Sequence, residues 1–301
     1  MDRYQEMRIF VGVAEEEGFA AAAKKLGSSP PAVTRAIAAL EARLGTILLH
    51  RTTRIVRPTE AGQRYLADCK RILAEIDEAE ASAAGAHMEP KGLLSITAPV
   101  MFGRIHVAPV MLDFLKAFPA VSIRSLFLDR VVDIIEEGID VAVRIAPLAD
   151  SAMMARPVGE IARVVCAAPD YLAKHGMPRK PADLATHDIV TFSGLAGPQV
   201  WTFGHGAQAQ RITVESRFTV NANDVSIDAA IAGHGVTRAL SYQVAKPISD
   251  GALVRILTEF EPPPVPVQLV HAEGRRASAR LRAFIDFAAE RLRADPALHP
   301  A

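Results

Sequence analysis

Apolar residues fall at helical spacing up to about residue 86, and after that in short β-branched runs separated by helical stretches. Met7, Phe10, Val11 and Ala14 mark the buried face of a helix over residues 3–16. Residues 19–43 read as helix, tight turn, helix. The first part is alanine-rich, Gly27 suits a sharp turn, Ser29 is placed to cap the next helix, and Pro30 suits its first position. Val33, Ile37, Leu40 and Leu44 recur at four, three and four residues and form one stripe for burial. Pro31, Thr34, Arg35 and Ala38 are left on the opposite face. A short second helix with such a small, partly polar face has the shape that enters a DNA major groove. An ordinary helical hairpin packed in a core has the same pattern.

The run from Ile47 to Pro58 is rich in β-branched residues and predicts a short hairpin, with arginines at 51, 54 and 57. Such a hairpin is either a wing laid along the sugar-phosphate backbone or a solvated basic loop. Thr59 is a candidate N-cap for a long helix. Along it Tyr65, Cys69, Ile72, Ile76, Ala79, Ala83 and Ala86 alternate at four and three residues, which is a heptad seam. The expected cover for that seam is a partner helix in a homodimer; the alternative is a helix folded back on its own domain. Residues 84–92 break the pattern and read as a linker.

Beyond the linker the expected strands lie at 93–97, 121–128 and 139–145, with helices over 102–117 and 131–137 between them. A second unit follows, with strands at 164–167, 188–192, 201–203 and 211–220, and helices at 169–175 and 224–232. A strand at 266–271 and a closing helix over 278–293 end the chain, the helix showing Leu281, Phe284, Ile285, Ala288 and Leu292 on one face. Strands alternating with helices imply a mainly parallel sheet.

Composition changes this picture in one place. The 301 residues carry 34 basic and 34 acidic side chains, so there is no overall charge to draw the chain to nucleic acid. Between Ala21 and Arg71, however, ten basic residues meet only three acidic ones, which is a local footprint for phosphate beside the helical hairpin. The two cysteines, Cys69 and Cys166, suggest neither a disulfide framework nor a metal site. The start of the chain lacks the basic and apolar runs of an export signal, and no segment is apolar enough to span a bilayer, so the expectation is a cytoplasmic protein without membrane contact. No nucleophile elbow, phosphate-binding loop or metalloprotease motif is present, and the expectation is no enzyme and no cofactor. His205 and His234 read as loop or cap residues.

Together these motifs resemble the LysR-type transcriptional regulators. The matching run is Phe10-Val11-x-Val13-Ala14-Glu15, Phe19-x-x-Ala22-Ala23-x-x-Leu26, Ser29-x-x-Ala32-Val33-Thr34-x-x-Ile37-x-x-Leu40-Glu41-x-x-Leu44-Gly45, Leu48-x-x-Arg51-Thr52-Thr53-Arg54 and Thr59-Glu60-Ala61-Gly62. The resemblance implies an α+β multidomain protein. Residues 1–59 are then a winged helix-turn-helix, 60–91 a dimerising linker helix and hinge, and 92–301 a two-lobed α/β effector domain of the periplasmic-binding-protein type. Lobe I is expected at about 92–162 and 268–301, and lobe II at about 163–267. Homodimers through the linker helix, a homotetramer, a double-stranded DNA operator and possible contact with the transcription machinery follow from the same likeness. Two positions depart from the family pattern. Glu17-Gly18 stands where Gly-Ser is usual, and Pro30 and Pro31 stand where Gln and Ser often begin the recognition helix.

On this reading Ser29, Pro30, Pro31, Thr34 and Arg35 face the operator, with Arg51, Thr52 and Arg54 holding its backbone. Thr34 and Arg35 carry the direct readout, and the prolines offer apolar contact to a thymine methyl. The effector is a small molecule in the cleft between lobes, at the carboxyl ends of strands. Pro99, Val100, Met101 and Phe102 form an apolar rim at a helix start whose amides could hold an anion. Arg144, Ser193, Asn223, Ser226 and Gly235 are the candidates across the cleft. A two-lobed small-molecule-binding protein, an enzyme on the same scaffold and a non-specific chromosome binder are the competing readings.

Overall fold

The computed structural model describes residues 2–51, 56–83, 89–147, 153–192, 199–272 and 277–299. The chain divides into two compact units, Met1–Gly92 and Leu93–Ala301.

The first unit is built from α1 (Arg3–Glu15), α2 (Phe19–Lys25), α3 (Pro30–Leu44), the hairpin β1 (Leu49–Arg51) and β2 (Val56–Pro58), and α4 (Glu60–Ala83). Asp2 caps α1 by accepting the Gln5 amide. Gly27 turns the chain at φ +60° between α2 and α3, and Gly45 ends α3 at φ +65°. The Ser29 side chain makes no cap hydrogen bond although it holds the N-cap position; its carbonyl takes the Ala32 and Val33 amides instead. The buried stripe of α3 is Val33, Ala36, Ile37 and Leu40. Leu44 is not part of it, because it sits on the last turn of the helix and is 39% exposed. Glu17, in the departure from the family pattern, has φ +47°, and its carbonyl accepts the Val56 amide, tying the hairpin to the α1–α2 turn.

Thr59 caps α4 as the sequence suggests. Its Oγ1 accepts the Gly62 amide at 2.9 Å and donates to the Ile47 carbonyl at 2.8 Å. A Cβ on Gly62 would lie 1.9 Å from the Leu48 carbonyl oxygen, so only glycine lets the hairpin pass this close. The same close packing corrects the expectation that a partner helix covers the whole heptad seam. Tyr65 and Cys69 belong to the core of this unit, and the Tyr65 ring lies 5.4 Å from that of Phe10. Ile72 and Ile76 are half-buried. The side chains of Ala79 and Ala83, and all of Ala86, fall outside the described residues.

The second unit holds two five-stranded sheets. The first has the order β4-β3-β5-β14-β6, from β3 (Gly92–Ala98), β4 (Val121–Phe127), β5 (Val141–Ile145), β6 (Met154–Ile161) and β14 (Val265–His271). The second has the order β11-β8-β12-β7-β13, from β7 (Arg163–Ala167), β8 (Ile189–Phe192), β11 (Ser216–Val220), β12 (Val236–Leu240) and β13 (Val254–Ile256). A separate ribbon pairs β9 (Gln199–Phe203) with β10 (Gln210–Val214). Both large sheets are mixed and not mainly parallel. β14 runs antiparallel to β5 and β6, and β7 antiparallel to β12 and β13, because each is the strand that carries the chain across or back between sheets. The chain crosses at Ala162, between β6 and β7, and returns within residues 257–264.

Helices α5 (Val100–Phe102) and α6 (Ala108–Ala117) form one continuous run joined by a π turn, Gly103–Val107. The other helices are α7 (Pro169–His175), α8 (Asn223–Ile231), α9 (Ser241–Ser249) and α10 (Ala279–Arg293). The helix expected at 131–137 does not form. The Asp133 carboxylate takes the Ile135 and Glu136 amides, an Asx turn that competes with helix, and Val131 and Ile135 point to solvent at 85% and 70% exposure. One apolar cluster runs beneath both sheets, from Leu94, Ile96 and Phe102 to Cys166, Ile227 and Tyr242.

Candidate DNA-binding face and ligand cleft

In the first unit the exposed face of α3 presents Pro30, Pro31, Thr34 and Arg35, with Ser29 just ahead of them. Helical side-chain bonds partly commit this face. The Thr34 hydroxyl donates to the Pro30 carbonyl at 2.9 Å, so it offers a partner only lone pairs. Arg35 donates its Nε to the Pro31 carbonyl at 3.4 Å, which leaves both terminal nitrogens for a guanine edge or a phosphate. No carboxylate among the described residues pairs with it.

The frame behind this face is polar and closed. Glu6 is buried, and its carboxylate takes Arg43 Nη2 at 2.7 Å, joining α1 to α3. Glu41 Oε1 accepts the Leu48 and Leu49 amides and fixes the hairpin to the end of α3. Lys70 binds Glu15 at 2.7 Å, holding that carboxyl below its ordinary range, and Lys25 binds Glu16 at 2.8 Å. The basic footprint is therefore narrower than the sequence suggests. Lys25, Arg43, Arg64 and Lys70 are engaged with acids of their own unit. Arg57 on β2 is exposed, and no carboxylate among the described residues pairs with it. Thr52 and Arg54, and the side chain of Arg51, lie outside the described residues.

In the second unit a cleft of about 460 Å³ opens between the two sheets. Pro99, Arg144 and Asn223 line it, as expected from the sequence. Arg144 donates to the Val132 carbonyl at 2.8 Å, so the turn at 131–137 helps build the wall. Other candidates do not reach it. Met101 and Phe102 are core residues, the Phe102 ring standing edge-on to Tyr242 at 5.3 Å. Val100 is exposed but lies off the cleft. Ser226 is buried, and its hydroxyl bonds the Asn223 carbonyl. Gly235 serves packing: at φ +145° it lets Asp188 O approach to 2.3 Å of where a Cβ would stand. Ser193 lies outside the described residues. The helix start expected to hold an anion is already served by a carboxylate, because Asp129 Oδ1 accepts the Val100 amide at 3.0 Å.

A second cavity of about 240 Å³ shares Ile145, Phe192, Asn223, Leu240 and Gln243 with the cleft. It continues to Thr191, Trp201, Arg163 and Arg238, none of which the sequence singled out. Lone arginines and a tryptophan in β-runs carry no local signal; the pairing of β7, β8 and β12 aligns Arg163, Thr191 and Arg238, and Trp201 comes to them from β9 of the separate ribbon. The Arg238 guanidinium stands 5.0 Å from the centre of the Trp201 ring. Among the described residues no group of three His, Cys, Asp or Glu side chains is placed to hold a metal, and no helix is long and apolar enough to cross a membrane.

Two family models match this chain. Residues 4–63 match the bacterial regulatory helix-turn-helix protein, lysR family, and residues 87–293 match the LysR substrate binding domain. The HTH-type transcriptional regulator DmlR of Escherichia coli is 32% identical over 94% of this chain and 92% of its own. PtxR of Pseudomonas aeruginosa, another regulator of this type, is 35% identical over 95% of this chain and 92% of its own. Among solved structures, CrgA from Neisseria meningitidis, described as a LysR-type transcriptional regulator, superposes with a TM-score of 0.61 at 30% identity, covering 97% of this chain and 99% of that one.

Proposed function

The chain belongs to the LysR family of bacterial transcriptional regulators, and from that membership and the shape of α3 we infer that the exposed N-terminal half of this helix reads a double-stranded DNA operator. The observation that carries the assignment is Arg35: exposed, free of any described carboxylate, anchored by one nitrogen and open at the other two. Arg35 takes a base edge, guanine by preference, while Pro30 and Pro31 give apolar contact and Ser29 and Thr34 accept hydrogen bonds. Arg51, Thr52 and Arg54, with Arg57, hold the phosphate backbone from the hairpin.

Two chains pair through α4 beyond the turn that carries Cys69, and two such pairs form a tetramer. A pair presents two copies of α3 to two half-sites. A small-molecule effector occupies the cleft of the second unit, and its binding sets operator affinity. The relatives are named as regulators, which supports a role without turnover in the cell interior.

Arg35→Ala tests the central assignment. Operator fragments are first captured from genomic DNA with the purified protein, and binding is then followed by fluorescence anisotropy. The variant is expected to bind its operator roughly 10- to 100-fold more weakly, as loss of a bidentate base contact of about 1–3 kcal/mol implies. Undiminished binding removes Arg35 from the readout.

A further inference from the structure

Several described arginines of this protein meet acids. Arg43, Arg64, Arg130, Arg217, Arg255 and Arg291 each pair with a carboxylate. Arg163 and Arg238 meet none among the described residues, although both are half-buried. Their placement follows from strand register. β7 and β12 run antiparallel with Arg238 opposite Val165 and Leu240 opposite Arg163, so the two arginines share one face as diagonal neighbours. β8 runs parallel to β12 on its other side with Val190 beside Thr237, which puts Thr191 on that same face. All three line the smaller cavity.

Two cations side by side in a partly desolvated wall oppose each other. Burial, and secondarily the charge of Arg163, pull the Arg238 guanidinium down to about 10, and burial lowers Arg163 as well. No carboxylate among the described residues neutralises them. Among the described residues that line either cavity Asp129 is the only acid, and it is bonded to the Val100 amide. Residues 193–198, the segment between Phe192 and Gln199, contain no acidic side chain. What offsets the pair in place is the Trp201 ring face against Arg238, which supports a guanidinium without occupying its donors.

We propose that Arg163 and Arg238 form an anion-binding subsite that takes the carboxylate of a small organic acid, whose remainder lies towards the larger cleft. A planar carboxylate matches the fork geometry of guanidinium and cancels the repulsion between the pair. The hydroxyl of Thr191 adds a donor, because it and Thr219 Oγ1 at 3.1 Å leave one hydrogen to spare. The apolar wall at Ile145 and Phe192, where the two cavities merge, suits a hydrocarbon or ring portion. The assignment rests on reading the cleft as the effector site, and it adds the chemical class of the effector.

Trp201 is the only tryptophan in the sequence, so its emission reports this subsite in the full-length protein. The probes are acetate, succinate, benzoate and salicylate, each against its amide, at fixed ionic strength. The expected result is a saturable emission change with at least one acid at a Kd below ~10 mM, and none with the matching amide. Arg163→Gln and Arg238→Gln should each weaken that binding at least ~10-fold, and Arg238→Lys should keep part of it. Equal response to acid and amide, no saturable response to any acid, or full binding by both Gln variants overturns the proposal. Operator binding is measured in the same samples. Acid binding that leaves operator affinity unchanged keeps the subsite and refutes its regulatory coupling. A neutral compound that shifts operator affinity in the Gln variants keeps the effector cleft and refutes the anion class.

Discussion

Single side chains set the geometry of the DNA-facing unit. Thr59 does two jobs with one hydroxyl: it accepts the Gly62 amide and donates to the Ile47 carbonyl, so it caps α4 and ties the hairpin to it. Thr59→Ala is expected to lower stability by about 0.5–2 kcal/mol, and Thr59→Ser to lose less, both read from urea unfolding. Gly62→Ala meets the Leu48 carbonyl with no side chain to give way, and should cost about 1–3 kcal/mol or more in the same measurement. The cysteines make a different point. Both are fully buried, and burial pushes the Cys166 thiol up to about 12. Neither should react with a thiol reagent at pH 8 in the folded protein, and both should react once it is unfolded in denaturant.

At the scale of elements, α4 divides its apolar stripe between two duties. Tyr65 and Cys69 serve the core of their own unit, and Ile76 lies further along, where pairing of two chains is proposed. Tyr65→Ala should therefore lower the melting temperature while leaving the oligomer intact. Ile76→Glu should shift the sedimentation coefficient towards a smaller species with the fold retained. The reverse pattern would place the interface elsewhere. Local pattern carried much of this architecture. The stripe of α3, the Gly27 turn and the Thr59 cap are short-range features, and each is visible in a window of a few residues. Leu44 was misread because a helix stripe says nothing about where the partner surface ends. The helix expected at 131–137 failed for a local reason that composition hides, the Asx turn at Asp133. The mixed sheets were not legible, since strand direction is decided by the crossover at Ala162 and the return within 257–264. The cleft was half legible. Pro99, Arg144 and Asn223 sit at strand ends or helix starts and line it, while Arg163 and Arg238 are brought together only by register and Trp201 joins them from the β9–β10 ribbon.

For the whole molecule, a neutral chain can bind DNA because its charge is arranged and not because it is abundant. Lys25, Arg43, Arg64 and Lys70 are engaged with internal acids, so on the proposed reading specificity rests on the α3 face more than on bulk attraction. Arg57→Ala should accordingly weaken binding to all sequences alike and reduce the salt slope by about one, whereas Arg35→Ala should fall most heavily on the operator. The most direct test of the account compares full-length protein on a captured operator and on a scrambled duplex of the same length, by fluorescence anisotropy at physiological salt. A sequence-specific regulator is expected to favour the operator by at least ~10³-fold. Equal affinity for the two duplexes would contradict it and describe a non-specific binder of the chromosome.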